Sequence, residues 1–352
     1  MITSKKRKLD ACRLTTKISA MLIVSISSLF SGAIYSQSAT LTQVEARGAV
    51  ACGVSTGLKG FSQPNSLGDY SGLDADFCRA IASAIFNDPT KVEFVGLNSS
   101  ARFDALAAAS IDVLVRNTTW TLSRNLDFGE FAGVNYYDGQ GFMVPKSSGI
   151  RSALELDNKG ICVTRNTTTE LNAEDFFGVG KMRFKPIYVE TNDEINAAYK
   201  SGKCLAVTND RSALAATRAN LERPDAHLVL PEIISKEPLG PLVRKGDPIW
   251  TNLVRWSLNC MINAEEMGVT SGNISKAAKN ATPAMQRLLG ISGDFGSKLG
   301  VGNTWCANII THIGNYAESY ERNVGENTAL GLPRGVNRLW TDGGLMYAPP
   351  IR

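Results

Sequence analysis

Histidine is nearly absent from this chain: two in 352 residues, His227 and His312, isolated from each other in sequence. No CxxC pair occurs either, so zinc is left without a sequence signal. A glycine-rich phosphate loop of the P-loop kind and an HExxH motif are also missing, which removes common signatures of nucleotide hydrolysis and metalloprotease chemistry. Neither charge sign dominates, with 37 Lys and Arg against 33 Asp and Glu. An unbroken apolar run of the ~20 residues that cross a bilayer is absent. With enzyme signatures this scarce, the polar residues read more readily as a binding site than as a catalytic one.

What is present begins with a basic N-terminus. Lys5, Lys6, Arg7, Lys8, Arg13 and Lys17 surround or precede a serine-broken apolar stretch from Ile18 to about Ile34, and Ser36-Gln37-Ser38-Ala39 supplies small residues suited to cleavage. Residues 1–38 are therefore expected to be a secretory signal peptide, a retained anchor being the other reading, and the mature chain is expected in the periplasm. Those residues carry six positive charges against Asp10, so without them the formal net charge falls from +4 to −1. No basic face for nucleic acid remains as a compositional signal. Cys12 leaves with the signal. Cys52, Cys78, Cys162, Cys204, Cys260 and Cys306 remain, an even number in an exported chain and hence a disulfide signal whose connectivity the spacing leaves open.

From Gly48 onward strands alternate with helices, which implies parallel sheets, and an apolar fraction of 43% suffices for a core. Strands are expected at 50–54, 92–97, from Ile111, and at 161–164, 186–189 and 205–208. A helix opens near Gly72, with Phe77, Ile81 and Ile85 at intervals of four and Asp74 and Asp76 as cap or dipole partners near its positive end. Extended crossings at Phe142–Pro145 and Pro238–Val243 divide the chain into a first lobe, 39–143 plus 240–265, and a second, 144–239. Residues 266–352 form a helical extension expected to pack on the first lobe.

One stretch turns abruptly from apolar to polar. Ile111, Val113, Leu114 and Val115 read as a buried strand, and Arg116, Asn117, Thr118, Thr119, Trp120 and Thr121 then crowd donors onto its carboxyl end, where open α/β sheets hold ligands. Arg124 follows within reach, and its planar fork of donors matches a carboxylate. Thr167, Thr168 and Asp210 stand at strand ends of the second lobe. If the lobes face each other, Arg124 can hold a carboxylate and Asp210 an ammonium. One ligand carrying both groups is an α-amino acid.

The segments CGVSTGLKGFS, GLDADFCRA, RFDALAAASIDVLVRNTTWTLSR, YYDGQGFMVPK, GNYAESYERN and RGVNRLWTDGGLMYAPPIR resemble the general L-amino acid-binding periplasmic proteins of polar amino acid ABC transporters, in solute-binding protein family 3. The likeness runs from Val50 to Arg352. It implies an α/β fold of the type II periplasmic binding protein class, two parallel-sheet lobes joined by a two-strand hinge that closes on ligand, with a helical C-terminal extension. On that fold the cysteines are expected to pair in sequence order: Cys52 with Cys78, Cys162 with Cys204, Cys260 with Cys306.

Carried over residue by residue, the family pattern pairs Arg124 with the ligand α-carboxylate, assisted by Thr119 and Thr168, with Thr167 beside them. Asp210 accepts from the α-ammonium, shared with the Asn117 carbonyl and Thr119 hydroxyl. Ser55, Leu58, Phe61 and Arg116 fall near the ligand side chain. The partners implied are a free L-amino acid and inner-membrane ABC permease subunits, with no cofactor, no metal, no nucleic acid and a monomeric state. Two positions depart from the pattern: Asn166 stands where relatives carry glycine, and Leu205 where they carry aspartate. The competing reading is a periplasmic dehydratase-like enzyme on the same fold, which needs a placed acid or base beyond Asp210.

Overall fold

The computed structural model describes residues 38–352. Most of the expected signal peptide lies outside them. Ser38 does not: it caps the helix Ala39–Arg47 by accepting from Leu41 N–H, and donates to Asp247 Oδ2 at 2.8 Å.

Among the described residues two large sheets form. The first orders the strands Val92–Leu97, Val50–Ser55, Val113–Leu114, Leu242–Val243 and Glu130–Phe131. The second orders His227–Val229, Tyr136–Pro145, Ala206–Asp210, Gly160–Thr164 and Lys185–Val189, with Ser235–Leu239 also paired to Tyr136–Pro145. Both are mixed, which corrects the expectation of parallel sheets. Strands linked by helices within a lobe pair in parallel. Strands next to a crossing run against them, as Leu242–Val243 does to Val113–Leu114 and Tyr136–Pro145 to Ala206–Asp210. A strand entering from the other lobe needs no crossover helix, so nothing commits it to the parallel direction.

The first crossing lies earlier than expected. Phe142 and Met143 pair with Thr208 and Val207 inside the second sheet, and Phe142, Met143 and Val144 are fully buried. Phe142 and Val144 face one core and Met143 the other, as a two-residue period requires. The chain instead crosses through residues 132–135, where Ala132 N–H donates to Pro241 O and Asn135 N–H to Leu239 O, each at 2.9 Å. Residues 136–143 thus belong to the second sheet. The two crossings touch so closely that a Cβ on Gly240 would sit 2.1 Å from the Gly133 carbonyl oxygen.

The extension and the first lobe share one large core running from Leu41 to Ile351 and joined by Ala213, Ala215 and Ala216 of the second lobe, with Trp250, Leu253, Ile309 and Tyr320 at most 1% exposed; Leu106, Ile111, Leu114, Phe131 and Leu242 form a separate small core of the first lobe. The long helix Pro248–Glu266 is the spine of the large core, buried through Leu253, Val254, Leu258 and Met261. Each such side chain contributes roughly 1.5–3 kcal/mol. The second lobe has two smaller cores, one on each face of its sheet. Disulfides join Cys52 to Cys78, Cys162 to Cys204 and Cys260 to Cys306, the order expected. No helix among the described residues is long and apolar enough to cross a membrane.

Candidate functional site

The carboxyl ends of strands from both sheets converge on one polar cavity. The first lobe contributes Ser99, Arg102, Arg116, Asn117, Thr119 and Arg124; the second contributes Thr164, Thr167, Thr168, Thr169, Asn192, Asn209 and Asp210. The lobes touch around it. Thr119 Oγ1 lies 3.3 Å from Thr168 Oγ1, and Asn192 Nδ2 donates to the Gly57 carbonyl at 3.0 Å.

Local chemistry explains how each group is held. Thr121 caps the short helix Leu122–Asp127, which carries Arg124 back over the strand end, where its Nη1 donates to the Thr119 carbonyl at 3.0 Å. Arg116 donates from Nε to the Leu97 carbonyl at 2.8 Å and from Nη2 to Ser99 Oγ at 3.2 Å. Asn117 takes a positive φ of 34°, and its N–H donates to Asp74 Oδ2 at 3.0 Å. Asp74 also accepts from Asn135, while Asp76 accepts from Ser319 and Asn323 and pairs with Arg322. Those two acids therefore tie the binding loop and the extension to the helix Leu73–Phe86, whose cap, Gly72, makes no side-chain bond. This replaces the expected capping role.

Three guanidiniums crowd the first-lobe wall. Burial, opposed in part by Asp74, draws Arg116 down to about 10, still cationic at neutral pH. Burial and then repulsion from Arg116 and Arg124 lower Arg102 well below its ordinary value. Arg102 is 3% exposed, its Nε has no partner, and its nearest polar contact is a long 3.4 Å approach to Thr118 Oγ1. A buried donor without an acceptor is costly, so this wall favours a ligand with anionic oxygen. Facing it, burial and then the nearby acids Asp138 and Glu237 push the Asp210 carboxyl well above its usual range, against a hydrogen bond from the Asn117 side chain.

Of the residues expected at the site, Arg116, Asn117, Thr119, Arg124, Thr167, Thr168 and Asp210 line the cavity. Ser55, Leu58 and Phe61 are not among the lining residues. Phe61 is 1% exposed and packs edge-on against Tyr136, Leu58 closes a tight loop with Ser62, and Ser55 Oγ accepts from Gly57 N–H and Asn192. Ser55 lies in the string Gly53-Val54-Ser55-Thr56-Gly57, which has GxSxG spacing, but the two histidines are engaged elsewhere, with Tyr199 and with Asn87. Asn166 adopts φ 59°, the left-handed conformation open to asparagine and glycine. Leu205 packs against the second lobe's core. Sequence reasoning missed Arg102, Ser99, Thr164, Thr169 and Asn192. Their signal was position, since most of them stand at or just past a strand's carboxyl end.

The sequence profile of the bacterial extracellular solute-binding proteins, family 3, matches residues 50–271. The chain belongs to this family. Similar relatives include the general L-amino acid-binding periplasmic protein AapJ of Rhizobium johnstonii, 48% identical over 91% of this chain and 95% of the relative. The glutamate/glutamine/aspartate/asparagine-binding protein BztA of Rhodobacter capsulatus is 47% identical over 94% and 97%. A solved ABC transporter periplasmic binding protein from Brucella ovis with glutathione bound is 51% identical, with a TM-score of 0.87 over 89% of this chain and 99% of that one. These full-length matches carry the extension 272–352 as well, beyond the stretch that defines family 3.

Proposed function

We propose that the cavity captures an L-amino acid between the two lobes and that the protein hands it to the permease subunits of an inner-membrane ABC transporter. Arg124 pairs with the α-carboxylate and Asp210 accepts from the α-ammonium, with the Asn117 carbonyl and the Thr119 hydroxyl beside it. Arg102 and Arg116 then face the side chain, which favours acidic and amide ligands such as those in the name of BztA. The observation that carries this reading is three buried guanidiniums set against one carboxylate on the wall of a single cavity. The protein works outside the cytoplasmic membrane as a monomer, its signal peptide removed, without cofactor, metal or nucleic acid.

The dehydratase reading has little support. A structure neighbour of that lineage is itself an ancestral amino acid-binding protein, described as a precursor of cyclohexadienyl dehydratase, 27% identical with a TM-score of 0.56. A calorimetric screen of ligand-stripped protein against common L-amino acids tests the proposal. Glutamate, aspartate, glutamine and asparagine should bind more tightly than leucine, and arginine should bind worst. Failure of every amino acid to bind, or arginine as the tightest ligand, would refute it.

A further inference from the structure

The cavity wall is backed by a carboxylate that does not line it. Glu237 lies on the return strand Ser235–Leu239 and is 1% exposed. Four side chains donate to it. Its Oε1 accepts from Ser235 Oγ at 2.6 Å and Asn172 Nδ2 at 2.7 Å; its Oε2 accepts from Thr119 Oγ1 at 2.6 Å and, at the long limit of 3.5 Å, from Thr168 Oγ1. Thr119 belongs to the first lobe and Thr168 to the second, so the contacts span the cleft.

The short contact with Thr119 has a chemical consequence. A hydroxyl has one proton and two lone pairs, and a carboxylate offers only acceptors. The Thr119 proton is committed to Glu237, which leaves only lone pairs of Thr119 Oγ1 for anything inside the cavity. An oxygen restricted to accepting discriminates in favour of donors: it suits an ammonium and gives nothing to a keto oxygen.

We infer that Glu237 is the positioning residue that fixes Thr119 as a hydrogen-bond acceptor and thereby makes the site favour an α-ammonium, which can only donate, over an α-keto oxygen, which can only accept, while an α-hydroxyl can do either. The inference rests on the proposed amino-acid site and deepens it by naming what reads the amino group besides Asp210. Glu237 acts through Thr119, since Thr119 lines the cavity and Glu237 does not.

Glu237→Gln isolates this role. The new amide must turn its NH₂ either toward Asn172 or toward Thr119. Asn172 Nδ2 is itself a donor, already shared with Gln140 Oε1 at 3.0 Å, so an NH₂ there meets donor with donor. The Thr119 hydroxyl can rotate. The amide therefore settles with its NH₂ on Thr119 Oγ1, and the hydroxyl proton swings into the cavity.

The experiment is calorimetry of ligand-stripped wild type, Glu237→Gln and Thr119→Val with L-glutamate and with 2-hydroxyglutarate, which differs only at the α-substituent. Wild type should prefer glutamate. In Glu237→Gln, glutamate affinity should fall about 10- to 100-fold, the range for a lost hydrogen bond to a charged group, while 2-hydroxyglutarate changes by less than about threefold. Thr119→Val should lose the same preference, and does not depend on Glu237→Gln folding well. Equal losses for both ligands would assign Glu237 a merely structural role and overturn the inference, as would an unchanged preference. A wild type that binds no glutamate would overturn the proposed function and this inference together, a result distinct from either.

Discussion

The first lobe buries three guanidiniums, those of Arg102, Arg116 and Arg124, in its wall of the cleft; the second brings a single carboxylate, Asp210, amid threonines and asparagines. Their packing differs as sharply. The first lobe shares its larger core with the extension and keeps a small one of Leu106, Ile111, Leu114, Phe131 and Leu242, whereas the second lobe has two cores on its own sheet and lends Ala213, Ala215 and Ala216 to the large one. Holding like charges together in a buried wall is costly, because Arg116 and Arg124 each disfavour the charge on Arg102. Arg102 and Arg124 both lie over the Phe103 ring, which packs on the small core.

Breaking either side of the charge pairing should have the largest effect. Removing one partner of a buried, hydrogen-bonded charge pair costs about 2–5 kcal/mol, or roughly 30-fold to several thousand-fold in affinity. Arg124→Lys should be nearly as harmful as Arg124→Ala, since a point charge cannot reproduce a planar fork. Asp210→Asn should damage amino-acid binding while sparing analogues that lack the ammonium. Titration showing Arg124→Lys within about threefold of wild type, well under 1 kcal/mol, would move the site elsewhere.

Much of this contrast was legible in the residues. The apolar-to-polar break after Val115 marked a strand end, and Asp210 stood at another. Arg102 was not legible: it opens the helix Arg102–Ala107 from a Ser-Ser-Ala stretch that reads as a solvated turn. Glu237 was hidden differently. Its partners Thr119 and Asn172 lie 118 and 65 residues away, and only the crossing of the lobes brings them together. The hinge was misplaced because the apolar run Phe142–Val144 looks alike as a crossing or as a strand buried on both faces.

The disulfides sharpen the comparison of packing. Each closes a loop worth about 3–4 kcal/mol in the chain-entropy model. The chain's five tryptophans, Trp120, Trp250, Trp256, Trp305 and Trp340, all lie outside 136–239, so tryptophan fluorescence reports only the first lobe and the extension. With Cys162 and Cys204 both changed to Ala, far-UV dichroism should begin to melt before fluorescence does. With Cys260 and Cys306 changed, fluorescence should move first. Coincident transitions in both variants would mean the lobes unfold as one unit.

Both lobes hold buried acids, and burial raises the Asp74 carboxyl of the first to about 6. Burial, together with Glu237, pushes the Asp138 carboxyl up to about 6, and burial and neighbouring acids raise Asp210. A carboxyl whose folded pKa exceeds its unfolded value binds more protons when folded, so it destabilises the ligand-free protein as pH rises from about 4 to about 6. Ligand binding runs the other way, because the ammonium needs Asp210 ionised. Affinity should therefore climb with pH over a window in which this contribution to stability falls. Denaturation and calorimetry at pH 4, 5 and 6.5 check both signs, and Asp138→Asn should reduce the stability difference while leaving the share of Asp74. If affinity and that contribution rise together, the acids are not coupled to the ligand as described.

The smallest effect concerns the extension's grip on the hinge. Asn337 holds the backbone of Tyr137 from both sides, its Oδ1 accepting from Tyr137 N–H at 2.7 Å and its Nδ2 donating to Tyr137 O at 2.9 Å, and Tyr316 donates to the Asn135 carbonyl at 2.8 Å. These bonds bind the start of the second lobe's first strand to the body that carries the arginines. Asn337→Ala removes two net hydrogen bonds, about 1–3 kcal/mol in all. Unfolding should show that loss, and small-angle scattering of the ligand-free variant should show a wider spread of lobe separations than wild type, with ligand restoring the compact form in both. A variant that loses stability but scatters like wild type in both states would make Asn337 a packing residue with no hold on the hinge.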